Sequence, residues 1–222
     1  IGESLREQDF SMNILSKKIT DKWNINLFST YASTEMSTAF TECEHGKGGH
    51  HHPELIIVEV LDDENKPVKE GESGELTITT IGVEAMPLIR FKTGDIVKLH
   101  TNPCMCGRNT LRVGPVVGRK QQMIKYKGTT LYPPAMNDVL NDFVAIDNYL
   151  IQIYTNDLGT DEIVIKIAVN SPTEEFLTEV KDHFRAKLRV TPKIEFVSKE
   201  ILNPIVFNPM NRKPTRFVDL RK

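Results

Sequence analysis

The stretch MPLIRFKTGDIVKL (residues 86–99) decides how this chain is read. Apolar, strand-like residues run into Thr93-Gly94-Asp95 and resume at once, with Arg90 and Lys92 just ahead of the break. By itself the segment is two short strands, PLIRF and DIVKLH, about a turn in which Gly94 supplies backbone freedom and Asp95 is solvated. An edge strand closed by a turn needs neither this density of charge nor this order. A carboxylate at a glycine-bearing turn after a strand can instead accept both hydroxyls of a ribose, as acidic residues do in dinucleotide folds.

Outward from there, PELIIVEVL (53–61) reads as a buried strand, DDENKPVKEGESG (62–74) as a loop and ELTITTI (75–81) as an alternating second strand. Upstream, Ile14, Leu15, Lys18, Ile19 and Trp23 give a rough helical stripe, followed by β-like INLFSTYA. After Gly118 the pattern changes. QQMIKYKG is a strand, and PPAMNDVLNDF (133–143) is a helix whose prolines sit where a missing N–H costs nothing. YLIQIYT and EIVIKIAV are strands joined across NDLGTD, with Ile163, Ile165, Ile167 and Val169 on one face. Ser171-Pro172-Thr173-Glu174 reads as a capping box with proline at the first helical position. The helix it opens buries Phe176, Leu177, Val180, Phe184 and Leu188, and KIEFV closes as a strand. The expected fold class is α+β: a β-rich part over residues 1–119, then a small ferredoxin-like β-α-β-β-α-β domain over 120–222.

Bulk properties exclude several functions. A net charge of −2, from 28 basic and 30 acidic residues, offers no field of one sign for a nucleic-acid backbone or an anionic membrane. No apolar run is long enough to span a bilayer, and IGESLREQDF lacks the basic start and apolar stretch of a signal peptide. A chain beginning at Ile1 is expected to be part of something longer. The three cysteines argue against a disulfide framework and fit a reducing, cytoplasmic setting.

Four further stretches carry candidate chemistry. In YASTEMS (31–37), Ser33 and Thr34 can donate to phosphate oxygens and Glu35 can hold Mg²⁺; the same residues also fit a plain strand-to-loop transition. Gly118-Arg119 sits at the composition shift, where a linker would also serve. NPMNRKPTRFVDLRK (208–222) is either a solvated tail or a mobile loop delivering Lys213 to an anionic reaction centre. Cys104-x-Cys106 alone also fits free thiols. Adding Cys43 and one histidine of GGHHH (48–52) gives three sulfurs and one nitrogen, a tetrahedral zinc set.

Taken in order, YASTE, MPLIRFKTGD, GRKQQMIKYKGTTLYP and NRKPTR resemble the adenylate-forming superfamily of acyl-CoA ligases. FTECEHGKGGHHHPELIIVEV, GESGELTITTIGVEAMPLIRFKTGD and PCMCGR narrow the resemblance to the phenylacetate–CoA ligase family and its deazaflavin-adenylating relatives. What matches is the latter half of such an enzyme; the phosphate-gripping loop and much of the acyl pocket lie upstream in the family. The resemblance implies an ATP-dependent ligation of an aryl acid such as phenylacetate to coenzyme A through an acyl-adenylate. It implies that Tyr31, Thr34 and Glu35 meet nucleotide and Mg²⁺, that Asp95 binds the ribose hydroxyls, and that Arg119 approaches ribose and phosphate. It makes Lys213 the mobile catalytic lysine, Gly2-Glu3 the start of the adenine-side loop, and Gly128 part of the pantetheine channel, presented after the small domain rotates about a hinge. It favours Cys43, His50, Cys104 and Cys106 as a structural zinc site, with His51 or His52 as substitutes. Gln121 stands where the family has an acidic hinge residue, Arg212 where glycine is common before the lysine, and Phe91 where tyrosine is commoner. The implied partners are an acid, ATP, CoA and a missing N-terminal half, whose docking face predicts a sticky or homodimeric chain. Two other readings remain open: adenylyl transfer to a deazaflavin, and a non-enzymatic regulatory module that binds a small ligand.

Overall fold

The computed structural model describes residues 4–156, 159–211 and 213–221. Gly2-Glu3 and Arg212 lie outside the described residues. The chain divides into two compact units, Ile1–Gln121 and Gln122–Lys222. No described helix is long and apolar enough to cross a membrane.

The first unit holds α1 (Ile14–Trp23), β1 (Thr30–Ala32), β2 (Ala39–Glu42), β3 (Gly49–His50), β4 (Ile56–Leu61), β5 (Ser73–Thr80), β6 (Phe91–His100), β7 (Arg112–Val113) and β8 (Gly118–Arg119). The strands form one antiparallel sheet in the order β1-β2-β3-β7-β6-β5-β4, with β8 also pairing β6. Met36, Phe40, Ile56, Val60, Leu76, Ile78, Val97 and Val113 make its core. β4 lies at the sheet edge rather than fully buried, and Ile57 is exposed.

The opening segment is not two strands about a turn. β6 runs unbroken from Phe91 to His100, and the irregularity is a bulge. Thr77 pairs Lys92 and Glu75 pairs Ile96, so three residues, Thr93-Gly94-Asp95, oppose Leu76 alone. The Thr93 hydroxyl takes over the ladder: it donates to the Leu76 carbonyl (3.0 Å) and accepts from the Asp95 amide (3.1 Å). Gly94, at φ +77°, lets the strand bend there, and Asp95 is re-aimed as a result.

The expected stripe of α1 is only partly covered, Ile14 and Ile19 being half-buried and Leu15 exposed. Its only buried residue is Ser16, whose hydroxyl donates to the Leu5 carbonyl (2.6 Å), and Trp23 is 65% exposed. Polar capping by Asn13 holds the helix on the chain before it.

The second unit holds β9 (Ile124–Tyr126), β10 (Thr129–Leu131), α2 (Pro133–Asn141), β11 (Ile146–Thr155), β12 (Asp161–Val169), α3 (Glu174–Leu188), β13 (Lys193–Phe196), α4 (Lys199–Val206) and β14 (Phe217–Asp219). Mixed helix and sheet were expected, but the sheet is not ferredoxin-like. Its order is β13-β12-β11-β14, while β9 leaves to form a separate hairpin with β10. Lys127 and Gly128, at φ +49° and +81°, make that tight turn, which sends the chain back along β9 before α2 can start. β12 and β13 pair directly instead of flanking β9, and β14 extends the sheet beyond β11, parallel to it, from a segment whose prolines and basic residues suggest a tail.

One sheet face, Tyr149, Ile151, Ile153, Ile163, Ile165 and Ile167, packs under α2 and α3; the other, Leu150 and Ala168, packs under Leu202 and Val206 of α4. Pro204 hides α4 from sequence reading, yet the i, i+4 pair Leu202 and Val206 is fully buried. The cap of α3 lies two residues beyond expectation: Thr173 accepts from the Phe176 amide (3.1 Å), and Pro172 falls outside the helix.

Candidate active site and metal centre

Three segments far apart in sequence converge on the β6 bulge. The Tyr31 hydroxyl donates to Asp95 Oδ2 at 2.6 Å. Arg119 on β8 stands opposite Asp95 in register, with Nε 3.4 Å from Asp95 Oδ1. Tyr31 stacks on Phe40 at 5.8 Å between ring centroids. Burial, then the adjoining Asp95 carboxylate, push the Tyr31 hydroxyl well above its usual range, so it stays protonated and donates. Thr34 and Glu35 follow β1 in an exposed turn anchored by buried Met36. The Glu35 carboxyl is held low by its own backbone N–H, then by the Ser33 hydroxyl, with the positive charge of Arg119 adding to both. Tyr31, Glu35, Asp95 and Arg119 therefore share one electrostatic neighbourhood, two carboxyl groups with an exposed guanidinium beside them.

Lys120, the next residue, is tied down within the same unit. Its ammonium meets Glu75 Oε2 at 3.1 Å and Asp63 Oδ1 at 2.9 Å. The unit boundary falls one residue later, between Gln121 and Gln122.

Lys213 and Gly128 belong to the second unit. Lys213 sits in the exposed loop between α4 and β14. The base of that loop is closed by Thr215 N donating to Val206 O (2.8 Å) and Asn211 Nδ2 donating to Thr215 Oγ1 (2.9 Å). Arg216 continues the closure, lying 4.7 Å over the Tyr149 ring. Gly128 lines an open groove of about 320 Å³ with Lys125, Lys127 and Asp161.

The cysteines form a second constellation. Cys43, His50, Cys104 and Cys106 bring their ligand atoms within 4.8 Å of one another. Cys43 Sγ lies 3.6 Å from Cys104 Sγ, and Cys106 Sγ lies 3.5 Å from His50 Nε2. Sulfurs about 2.3 Å from a tetrahedral zinc stand roughly 3.8 Å apart, so these separations suit a shared ion. The cysteines are presented by two similar turns, CEHG (43–46) and CMCG (104–107). In each the glycine N–H donates to the first cysteine carbonyl at 3.0 Å, and the glycine takes φ of +59° or +87°. His50 Nδ1 is within 3.2 Å of Thr110 Oγ1, which fixes the ring with Nε2 toward the sulfurs. Neither His51 nor His52 joins the cluster; His52 Nδ1 faces Glu54 at 3.2 Å. Burial, reinforced by Arg108 and Arg112, lowers the His50 pKa and keeps the imidazole in its neutral, ligating form. Burial raises the Cys43 thiol, whereas the Arg108 backbone amide heads the causes that bring Cys106 down to about 7. The donor set thus fits a closed structural zinc site.

Sequence reasoning missed Thr93, Thr110, Arg112 and the Lys120–Glu75 pair. Only Arg112 leaves a sequence signal, a lone charge in the otherwise apolar run LRVGPVV (111–117).

No family model matches the chain. Among solved structures its fold is that of adenylate-forming CoA ligases. A 2-hydroxyisobutyryl-CoA ligase in the postadenylation state superposes on 97% of this chain and 47% of that one, with a TM-score of 0.76 and 23% identity. The anthranilate CoA ligase AuaEII, in complex with anthranoyl-AMP, does so over 81% and 37%, with a TM-score of 0.59 and 18% identity. In sequence the chain is 38% identical over 163 residues to the phenylacetate–coenzyme A ligase of Thermus thermophilus, covering 71% of this chain and 36% of that protein. It is 28% identical over 166 residues to the enzyme of that name from Pseudomonas putida, covering 69% and 36%. Over that matched region the chain is similar to curated ligases of this one name from four organisms. It spans about a third of the length of these curated relatives.

Proposed function

We propose that this chain carries the ribose- and metal-facing groups of an ATP-dependent, AMP-forming acid–CoA ligase whose acid is an aryl acid of the phenylacetate type. The observation that carries this reading is the meeting of Tyr31, Asp95 and Arg119 at one bulge, in a chain related in sequence to ligases of that name.

Asp95 accepts the two ribose hydroxyls, with Tyr31 fixing the orientation of its carboxylate. Arg119, exposed on its far side, turns toward ribose and phosphate. Thr34 donates to a phosphate oxygen, and Glu35 holds the Mg²⁺ that accompanies ATP. The acid carboxylate attacks the α-phosphorus, an acyl–phosphate bond forms and pyrophosphate leaves. Two anions meet in that step, so the Lys213 ammonium neutralises charge where it builds up, and Mg²⁺ held by Glu35 would supply further positive charge there. The CoA thiol then attacks the acyl carbonyl and AMP leaves; Gly128 lines the way for the pantetheine arm. Cys43, His50, Cys104 and Cys106 would hold a structural zinc ion, which would pin the two loops beside the sheet without entering the chemistry.

The test is exchange of label between pyrophosphate and ATP, run with a panel of aryl acids in the protein that carries this chain, followed by thioester formation on adding CoA. Lys213→Ala lowers the exchange about 100- to 1,000-fold, the usual cost of one preorganised charge donor. Exchange untouched by that substitution would refute the assignment of Lys213. Exchange with no acid in the panel would refute the aryl-acid reading.

A further inference from the structure

Arg112 on β7 is 5% exposed and stands opposite His50 in the β3–β7 ladder. Its Nη1 donates to the Lys47 carbonyl at 2.6 Å, and its Nη2 donates to the Asn102 carbonyl at 3.0 Å and to Asn102 Oδ1 at 2.8 Å. Lys47 lies in the loop that joins Cys43 to His50, and Asn102 in the loop that leads into Cys104. One guanidinium therefore bridges both ligand-bearing loops.

Among the described residues this side chain makes no ion pair. All three acceptors are neutral oxygens, and among the described residues no carboxylate pairs with it. Its Nε is buried without a hydrogen-bond partner. A buried cation left in that state is strongly disfavoured, because hydration has been removed and nothing of opposite charge replaces it. A backbone strut alone would not need a charge at all. Three thiolates around a divalent cation with a neutral imidazole leave one negative charge in excess. Among the described residues two other guanidiniums lie near the cluster: Arg6, against Gly46 of the first cysteine turn, is already paired with Glu42 at 3.0 Å, and Arg108 is an exposed donor 3.7 Å from Cys106 Sγ.

We propose that Arg112 is a positioning residue for the metal centre. It holds the two ligand loops together before the ion arrives, and its buried charge balances the three-thiolate complex once the ion is bound. This rests on the zinc reading above and adds a residue that makes no bond to the ion.

The experiment compares the wild-type chain with Arg112→Gln and Arg112→Lys. Each is measured for bound zinc, for the rate of zinc release to a chromogenic chelator, and for thermal midpoint with and without zinc. Outer partners of metal ligands typically change affinity about 10- to 100-fold, so R112Q releases zinc at least about tenfold faster. R112K falls between the two, because it keeps the charge but cannot span both loops with a planar fork. The rise in thermal midpoint on adding zinc shrinks in the same order. If R112Q is destabilised equally with and without zinc and its release rate is unchanged, Arg112 is only a fold residue and the proposal is overturned. If R112Q does not fold, R112K releasing zinc at the wild-type rate overturns it as well. A wild-type chain that binds no zinc overturns the metal reading itself, and a wild-type site that is intact but indifferent to Arg112 overturns only this inference.

Discussion

Tyr31→Phe isolates one hydrogen bond at the candidate active site. The substitution leaves the ring stacked on Phe40 and removes only the hydroxyl that donates to Asp95 at 2.6 Å. Hydrogen bonds to charged groups contribute about 1.5–3 kcal/mol. Asp95 retains Arg119 at 3.4 Å, and that guanidinium is 71% exposed, so water can reach the carboxylate once the hydroxyl is gone. The cost therefore sits at the low end, about 1.5–2 kcal/mol. With a urea slope of about 1–3 kcal/mol/M, the midpoint of the first unit moves down by roughly 1 M. Urea unfolding followed by circular dichroism, fitted with separate transitions for the two units, measures it. Asp95→Ala and the double variant complete the cycle, with a coupling energy of about 1.5 kcal/mol expected. A coupling below about 0.5 kcal/mol would show that Tyr31 and Asp95 are neighbours without a working bond, and the argument that Tyr31 sets the carboxylate's orientation would fail.

Metal analysis of the purified chain finds close to one zinc per chain, and Cys104→Ser or His50→Ala removes it; zinc retained in both variants refutes the ligand set. Lys120→Ala leaves the nearly buried Glu75 with only Lys92 at 3.8 Å, and chemical unfolding shows a loss of about 1–2 kcal/mol from the first unit, the partial exposure of Lys120 keeping it below the cost of a fully buried pair. In the second unit, burial works to raise the Asp142 carboxyl, but hydrogen bonds from His183 and Lys187 outweigh it and hold the pKa below 3.8. A depressed carboxyl stabilises the fold above its unfolded pKa and loses that contribution as pH falls through the folded value. Asp142→Asn therefore costs stability near neutrality and flattens the acid limb below about pH 4, and a wild-type acid limb in the variant would contradict this.

Legibility followed the distance over which each residue acts. The Asp95 carboxylate, the cysteine spacings and the run after Gly118 are local, because the chemistry they suit demands particular residue types at short intervals. The bulge was not local. Thr93 looks like a turn former until its hydroxyl is seen to replace a ladder partner on β5, which sequence periodicity cannot register. The sheet of the second unit failed for a related reason. β9 and β14 are both short, and nothing in their patterns says that β9 pairs only with β10 or that β14 extends the sheet beyond β11. Pro204 and the basic residues near it argued against structure in a segment that supplies both a covering helix and the final strand. The stripe of α1 shows the converse: helical spacing gives a helix, but says nothing of whether a described element lies against it.

Arg112 marks the sharpest limit. Pattern reading assigns charges to surfaces and would place this one in water. A guanidinium is nonetheless stable inside when it closes several carbonyls at once and its charge meets an opposite charge nearby. The first condition is met by Lys47 and Asn102, on two loops that sequence alone does not bring together. The second would be met by the thiolates of the proposed metal centre, whose histidine stands opposite Arg112 in the ladder. On the proposal made above, the buried arginine and the Cys43–His50–Cys104–Cys106 cluster answer one electrostatic requirement, an unpaired cation beside a complex that carries excess negative charge.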